Sequence, residues 1–208
     1  QRRQPHQARH DPGGVEAGAA FVVHGGPGTV AQTDLGAVTS ARGYRLDGIA
    51  AGDWAGLSVA HAGDVNADGF TDIVIGSPRS DNTRADSGSA TILFGSATAG
   101  YGTLSLAAVG TPAAPGWRFD GASGSQTGAA VAGAGDVNGD SYADVLVGSR
   151  FADFLDRVDA GTAHVVLGRF ASLTTQDLSG TGTARFLSGG AVGGDLLGVS
   201  VAPAGDVD

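Results

Sequence analysis

The chain contains no cysteine and no methionine in 208 residues. The first absence excludes disulfides and thiolate metal sites, and it fits an exported bacterial protein better than an animal ectodomain, which usually carries disulfides. Lysine is missing too: the basic residues are twelve scattered arginines, set against 21 acidic residues for a net charge of −9. That balance argues against nucleic acid as a partner, because phosphate binding needs clustered cations. No stretch approaches the roughly 18 apolar residues of a membrane-spanning helix. Arg2-Arg3 is followed by no apolar run, so it does not read as an export signal. Glutamate is reduced to Glu16, which leaves twenty aspartates, and aromatic residues are 6% of the chain. Short carboxylates suit tight loops, and 37 glycines supply the turns.

The aspartates are patterned. Asp64-Val-Asn66-Ala-Asp68-Gly69-Phe70-Thr-Asp72 places oxygen side chains at positions 1, 3, 5 and 9 of one loop. Asp136-Val-Asn138-Gly-Asp140-Ser141-Tyr142-Ala-Asp144 repeats it, and a third copy begins at Asp206-Val-Asp208. Hard oxygen donors at alternate positions of a turn are what Ca²⁺ needs, and position 7 can add the backbone carbonyl of Phe70 or Tyr142. An EF-hand is excluded, because position 12 is Ile75 in one copy and Val147 in the other, where a bidentate Glu is required. Ser141 stands where the first loop has Gly69, a position expected to need positive φ, so the second site is expected to be the weaker.

The surroundings repeat with the loops. Gly63, Gly135 and Gly205, each directly before a loop, are 72 and 70 residues apart. Each loop is preceded by a segment of the type Gly56-Leu-Ser-Val-Ala-His-Ala-Gly63 and followed by an apolar run, Ile73–Ile75 or Val145–Val147. Alternating segments follow at 88–95 and 161–168, with an earlier relative at 18–25. A fourth element reads Gly43-Tyr-Arg-Leu-Asp-Gly48 and Gly116-Trp-Arg-Phe-Asp-Gly121, with an echo at 184–188. Short apolar runs bounded by Gly, Asp and Pro read as strands. The pattern predicts strands over 19–24, 44–47, 57–62, 72–76, 89–94, 117–120, 129–133, 144–148 and 162–167. Four strands per unit, repeated radially, is the sequence form of a β-propeller blade.

The chain resembles the FG-GAP repeats, the blades of the integrin α-subunit propeller and of many bacterial surface proteins. The resemblance rests on a glycine, a strand ending in Ala-Gly-Asp-Val, the D-x-N-x-D-G-x-x-D loop, an apolar strand and Gly-x-Pro. The name-giving pairs are degenerate: Phe-Gly appears as Ala55-Gly56, Thr127-Gly128 and Leu197-Gly198, and Gly-Ala-Pro as Gly76-Ser77-Pro78 and Gly148-Ser149-Arg150. The resemblance implies an all-β fold, a single partial propeller over 1–208 holding about three blades' worth of roughly seven. Its units are the end of a blade (1–40), two repeats (41–113 and 114–183) and the start of a third (184–208), read as a piece of a longer protein whose further blades are neighbours. It also implies Ca²⁺ held by Asp64, Asn66, Asp68, the Phe70 carbonyl and Asp72, and likewise by Asp136, Asn138, Asp140, the Tyr142 carbonyl and Asp144.

Other chemistry is thin. The five histidines show no metal-ligand spacing, and no Gly-x-Ser-x-Gly elbow or glycine-rich nucleotide loop is present. Tyr44 and Trp117 occupy the same repeat position, which points to packing between blades rather than to a sugar-stacking surface with Trp54 and Tyr101. The expected function is therefore non-catalytic: a Ca²⁺-stabilised scaffold outside the cell or at its surface, offering loops to a protein or glycan ligand. The alternatives are an accessory propeller of a secreted, phospholipase-like hydrolase and a structural repeat of a long bacterial adhesin.

Overall fold

The computed structural model describes residues 14–25, 35, 43–82, 84–97, 101–169, 175–179 and 185–205. In chain order its strands are β1 (Ala19–Val23), β2 (Gly43–Asp47), β3 (Ser58–Gly63), β4 (Asp72–Ser77), β5 (Ser89–Leu93), β6 (Thr103–Ser105), β7 (Gly116–Asp120), β8 (Thr127–Gly135), β9 (Asp144–Ser149), β10 (Thr162–Val166), β11 (Thr175–Asp177) and β12 (Arg185–Gly189). Every strand predicted from the sequence is present, with its ends displaced by at most two residues. Among the described residues there is no α-helix.

The strands form three sheets. The central blade is β3-β4-β5-β7 in antiparallel order, and the third is β8-β9-β10-β12. The first contains β1 and β2, which correspond to β5 and β7. Each blade thus takes its fourth strand from the start of the following sequence unit, so units 41–113 and 114–183 are offset from the blades by one strand. A further strand was not foreseen. The connection between the third and fourth strands of one blade supplies three residues that pair in parallel with the outer strand of the blade before it: β6 on β2, and β11 on β7. This covers an edge that would otherwise expose unpaired amides and carbonyls.

Two apolar layers lie between the blades. Val74, Ala90, Ile92, Trp117 and Phe119 of the central blade pack with Val131, Val145, Val147 and Val166 of the third. On the opposite face Ile73, Ile75 and Leu93 pack with Ala20, Tyr44 and Leu46 of the first. Side chains alternate across a strand, and here both faces are covered, which is why Ile73-Val74-Ile75 is apolar without interruption. Tyr44 and Trp117 are both buried in these layers, in the packing role their shared repeat position indicated.

The blades also touch through backbone. Parallel bridges Gly18↔Ala55, Gly88↔Thr127 and Gly161↔Leu197 recur at the repeat spacing. At Gly56, with φ +81°, a Cβ would lie 2.5 Å from the Ala19 carbonyl oxygen. The first residue of the degenerate Phe-Gly pair varies, but its glycine sits where both the backbone angle and the neighbouring chain leave no room for a side chain.

Candidate metal-binding loops

Each loop begins at a bulge. The β3–β4 register shifts between His61 and Gly63, the β8–β9 register between Gly133 and Gly135, and both final glycines have positive φ, +80° and +75°. A glycine in the left-handed region at a bulge bends the strand and turns the next residue off the ladder. The next residue is Asp64 in one copy and Asp136 in the other.

Within the loops the hydrogen bonds repeat with one exception, the Gly139 amide, which also donates to Asp136 Oδ1 at 2.8 Å. Asp64 Oδ1 accepts the Asp68 amide at 3.0 Å and Oδ2 the Gly69 amide at 2.8 Å. Asp136 takes the Asp140 and Ser141 amides at the same distances. Asn66 Oδ1 accepts the Asp68 amide at 3.2 Å while its Nδ2 donates to Asp68 Oδ2 at 2.9 Å, and Asn138 does the same with Asp140 at 3.2 and 2.9 Å. Asp68 Oδ1 accepts from the Phe70 amide at 2.9 Å and Asp140 Oδ1 from the Tyr142 amide at 3.0 Å.

The ninth position differs in kind. Asp72 and Asp144 are both 0% exposed. Asp72 accepts the Val65 amide on Oδ2 and the Gly95 amide on Oδ1, both at 2.8 Å, so it ties the start of the loop to the end of β5. Asp144 does the same with Val137 and Gly168, again at 2.8 Å. Burial pushes the Asp72 carboxyl up to about 6, against the two amides, and the negative charges of Asp68 and Asp64 push the same way. Asp144 is raised by burial too, with Asp140 and Asp136 adding to it. Asp136, at the surface, is lowered, chiefly by the Ser141 amide. The anchoring amides of Val65, Gly95, Val137 and Gly168 were not singled out as part of the site; the only sequence signal was that Gly95 and Gly168 both close the third strand.

Backbone strain is shared between the copies. Ser141 has φ +74° where Gly69 has +89°, so the second loop carries the strain its sequence foretold. At position 4, however, Ala67 has φ +57° where Gly139 has +74°. Each loop holds one glycine and one side-chain-bearing residue in the left-handed region. The expected ranking rested on Ser141 alone, and Ala67 offsets it.

Among the described residues no three His, Cys, Asp or Glu side chains are grouped so as to hold a metal ion by themselves. The donor side chains of each loop are three aspartates and Asn66 or Asn138, whose oxygens suit a hard cation. Each carboxylate has about four lone-pair sites, and the amides occupy only part of them. The negative charges of Asp68 and Asp64 that act on Asp72 are ones such a cation would neutralise. Asp206 and Asp208, the start of the third copy, lie outside the described residues.

Comparison with known proteins gives two findings. Residues 55–93 and 127–166 match the FG-GAP repeat, each stretch running from a bridge residue, Ala55 ahead of β3 and Thr127 at the start of β8, to the end of the third strand and enclosing one loop. The chain is also similar to integrin alpha-6 of Gallus gallus, with 27% identity over 145 residues. That alignment covers 70% of this chain, which spans 12% of the length of the curated relative.

Proposed function

Two successive blades of this chain match the FG-GAP repeat, and from that premise we propose that it is a Ca²⁺-binding propeller scaffold of an extracellular or cell-surface protein, offering its loops to a protein or glycan ligand. The observation that carries the reading is the duplicated loop, which keeps the same aspartate and asparagine positions, all but one of its hydrogen bonds and a buried ninth aspartate in two blades. Asp64, Asn66, Asp68, the Phe70 carbonyl and Asp72 would hold one ion, and Asp136, Asn138, Asp140, the Tyr142 carbonyl and Asp144 the other. The ion supplies charge: each Ca²⁺ offsets two units of the net −9. The protein supplies position, since the bulge aims the first aspartate and the two amides fix the ninth.

The adhesive part of the reading is supported by the likeness to an integrin α chain. No helix among the described residues is long and apolar enough to cross a membrane. Thermal unfolding in chelator and in millimolar Ca²⁺ tests the scaffold role. A ligand that binds only the folded state adds about 2.7 kcal/mol at a hundredfold excess over Kd. Melting should rise with Ca²⁺ and little with Mg²⁺, which prefers a smaller octahedral site; identical curves in chelator and Ca²⁺ would leave the loops as plain turns.

A further inference from the structure

Segments of two repeats meet beneath the first loop. The Ala143 amide donates to the Asp64 carbonyl at 3.0 Å, and the Arg169 amide to the Val65 carbonyl at 2.8 Å. Both donors are tied to Asp144, one through the chain and one through a hydrogen bond. Ala143 directly precedes Asp144, and Arg169 directly follows Gly168, whose amide donates to Asp144 Oδ1 at 2.8 Å. The ninth residue of the second loop therefore fixes, relative to one another, the two amides that hold positions 1 and 2 of the first. Packing follows the same line. A Cβ on Gly63 would lie 2.5 Å from the Ala143 Cβ. Val65 is 0% exposed beneath this seam, while its counterpart Val137 is 48% exposed.

We propose that the two loops are energetically coupled, so that Ca²⁺ at one tightens Ca²⁺ at the other through the seam of Asp64-Val65 against Ala143-Asp144 and Gly168-Arg169. The proposal rests on the Ca²⁺ reading of the loops. The two states involved are the seam docked and the seam released. An ion drawing on Asp144 holds Ala143 and Gly168-Arg169 in place, and the ordering of Asp64-Val65 is then no longer a cost to the second binding event. By linkage the effect is reciprocal: an ion at the first loop must tighten the second by the same factor, expected to be about fivefold or more.

Calorimetric Ca²⁺ titration of the full chain tests this with Asp140→Ala and Asp68→Ala, each removing a surface carboxylate whose hydrogen bonds stay within its own loop. Loss of the second site in Asp140→Ala should weaken the first about fivefold, and Asp68→Ala should weaken the second by the same factor. Hydrogen exchange supplies a separate readout: in Asp68→Ala, Ca²⁺ at the intact second loop should slow exchange of the Ala143 and Arg169 amides. If either alanine variant fails to fold, Asp140→Asn and Asp68→Asn, which keep an acceptor oxygen in the turn, take its place. Remaining sites whose affinities equal those of the intact protein would overturn the coupling while leaving Ca²⁺ binding in force. No saturable binding by the intact protein would overturn the Ca²⁺ reading itself.

Discussion

Replacing Gly56 by alanine separates the contribution of blade-to-blade backbone contact from that of backbone angle. At Gly56 the new Cβ meets the Ala19 carbonyl oxygen at 2.5 Å, the Ala19 carbonyl carbon at 2.9 Å and the Ala20 nitrogen at 3.3 Å, and φ is +81°. All three neighbours are main chain of the adjoining blade, so no side chain can turn aside. Gly124 is the control for angle alone, with φ +76° and open space around a built Cβ. Gly133 is the control for crowding alone: it is not in the left-handed region, and its Cβ would lie 2.6 Å from the His61 carbonyl oxygen. An alanine forced to positive φ costs about 1–2 kcal/mol, and overpacking typically costs about 1–3 kcal/mol. Gly124→Ala should therefore lose about 1 kcal/mol, Gly133→Ala about 1–3, and Gly56→Ala about 2–5. In a domain of this size each kcal/mol lowers Tm by about 2–4 °C. Urea and thermal unfolding of the three variants give the comparison directly. Equal losses in Gly56→Ala and Gly124→Ala would refute the backbone contact between the first and central blades.

Ala67→Gly and Ser141→Gly should each stabilise the chain by about 1 kcal/mol by relieving a left-handed residue; a loss of stability in either would place φ at that position on the ordinary side. Trp117→Ala should cost about 3–5 kcal/mol, because its indole is buried between the central and third blades beside Phe94 and Phe119, whereas a loss under 1 kcal/mol would contradict that packing. In chelator the Asp72 carboxyl should titrate by NMR near 6 rather than near its ordinary 3.8. Its folded value lies above its unfolded one, so its contribution to stability is present below about pH 4 and is lost as pH rises through 6, a term of about 3 kcal/mol at most; a midpoint near 4 would contradict its burial.

The strands and loops were legible because their signals are local: apolar runs of a few residues, glycines at fixed offsets, and aspartates at alternate positions. Tyr44 and Trp117 could be placed between blades because the repeat itself put them at one structural position. What escaped the sequence depends on partners distant in the chain. Thr103–Ser105 and Thr175–Asp177 are three-residue strands whose pairing is decided by the outer strand of another blade. Asp72 could be read as a donor, but its anchoring by Gly95, 23 residues on, required the folded β5. The strain at Ala67 has a sequence signal of the same kind as that at Ser141, since the other loop places Gly139 at its position.

Equilibrium dialysis of the intact chain against radiolabelled Ca²⁺ measures the central claim without recourse to stability. Two ions should bind per chain at saturation, one in either Asp64→Ala or Asp136→Ala, and none at these loops when both are replaced. Absence of saturable binding, or binding undiminished in the double variant, would contradict the assignment of the loops as calcium sites.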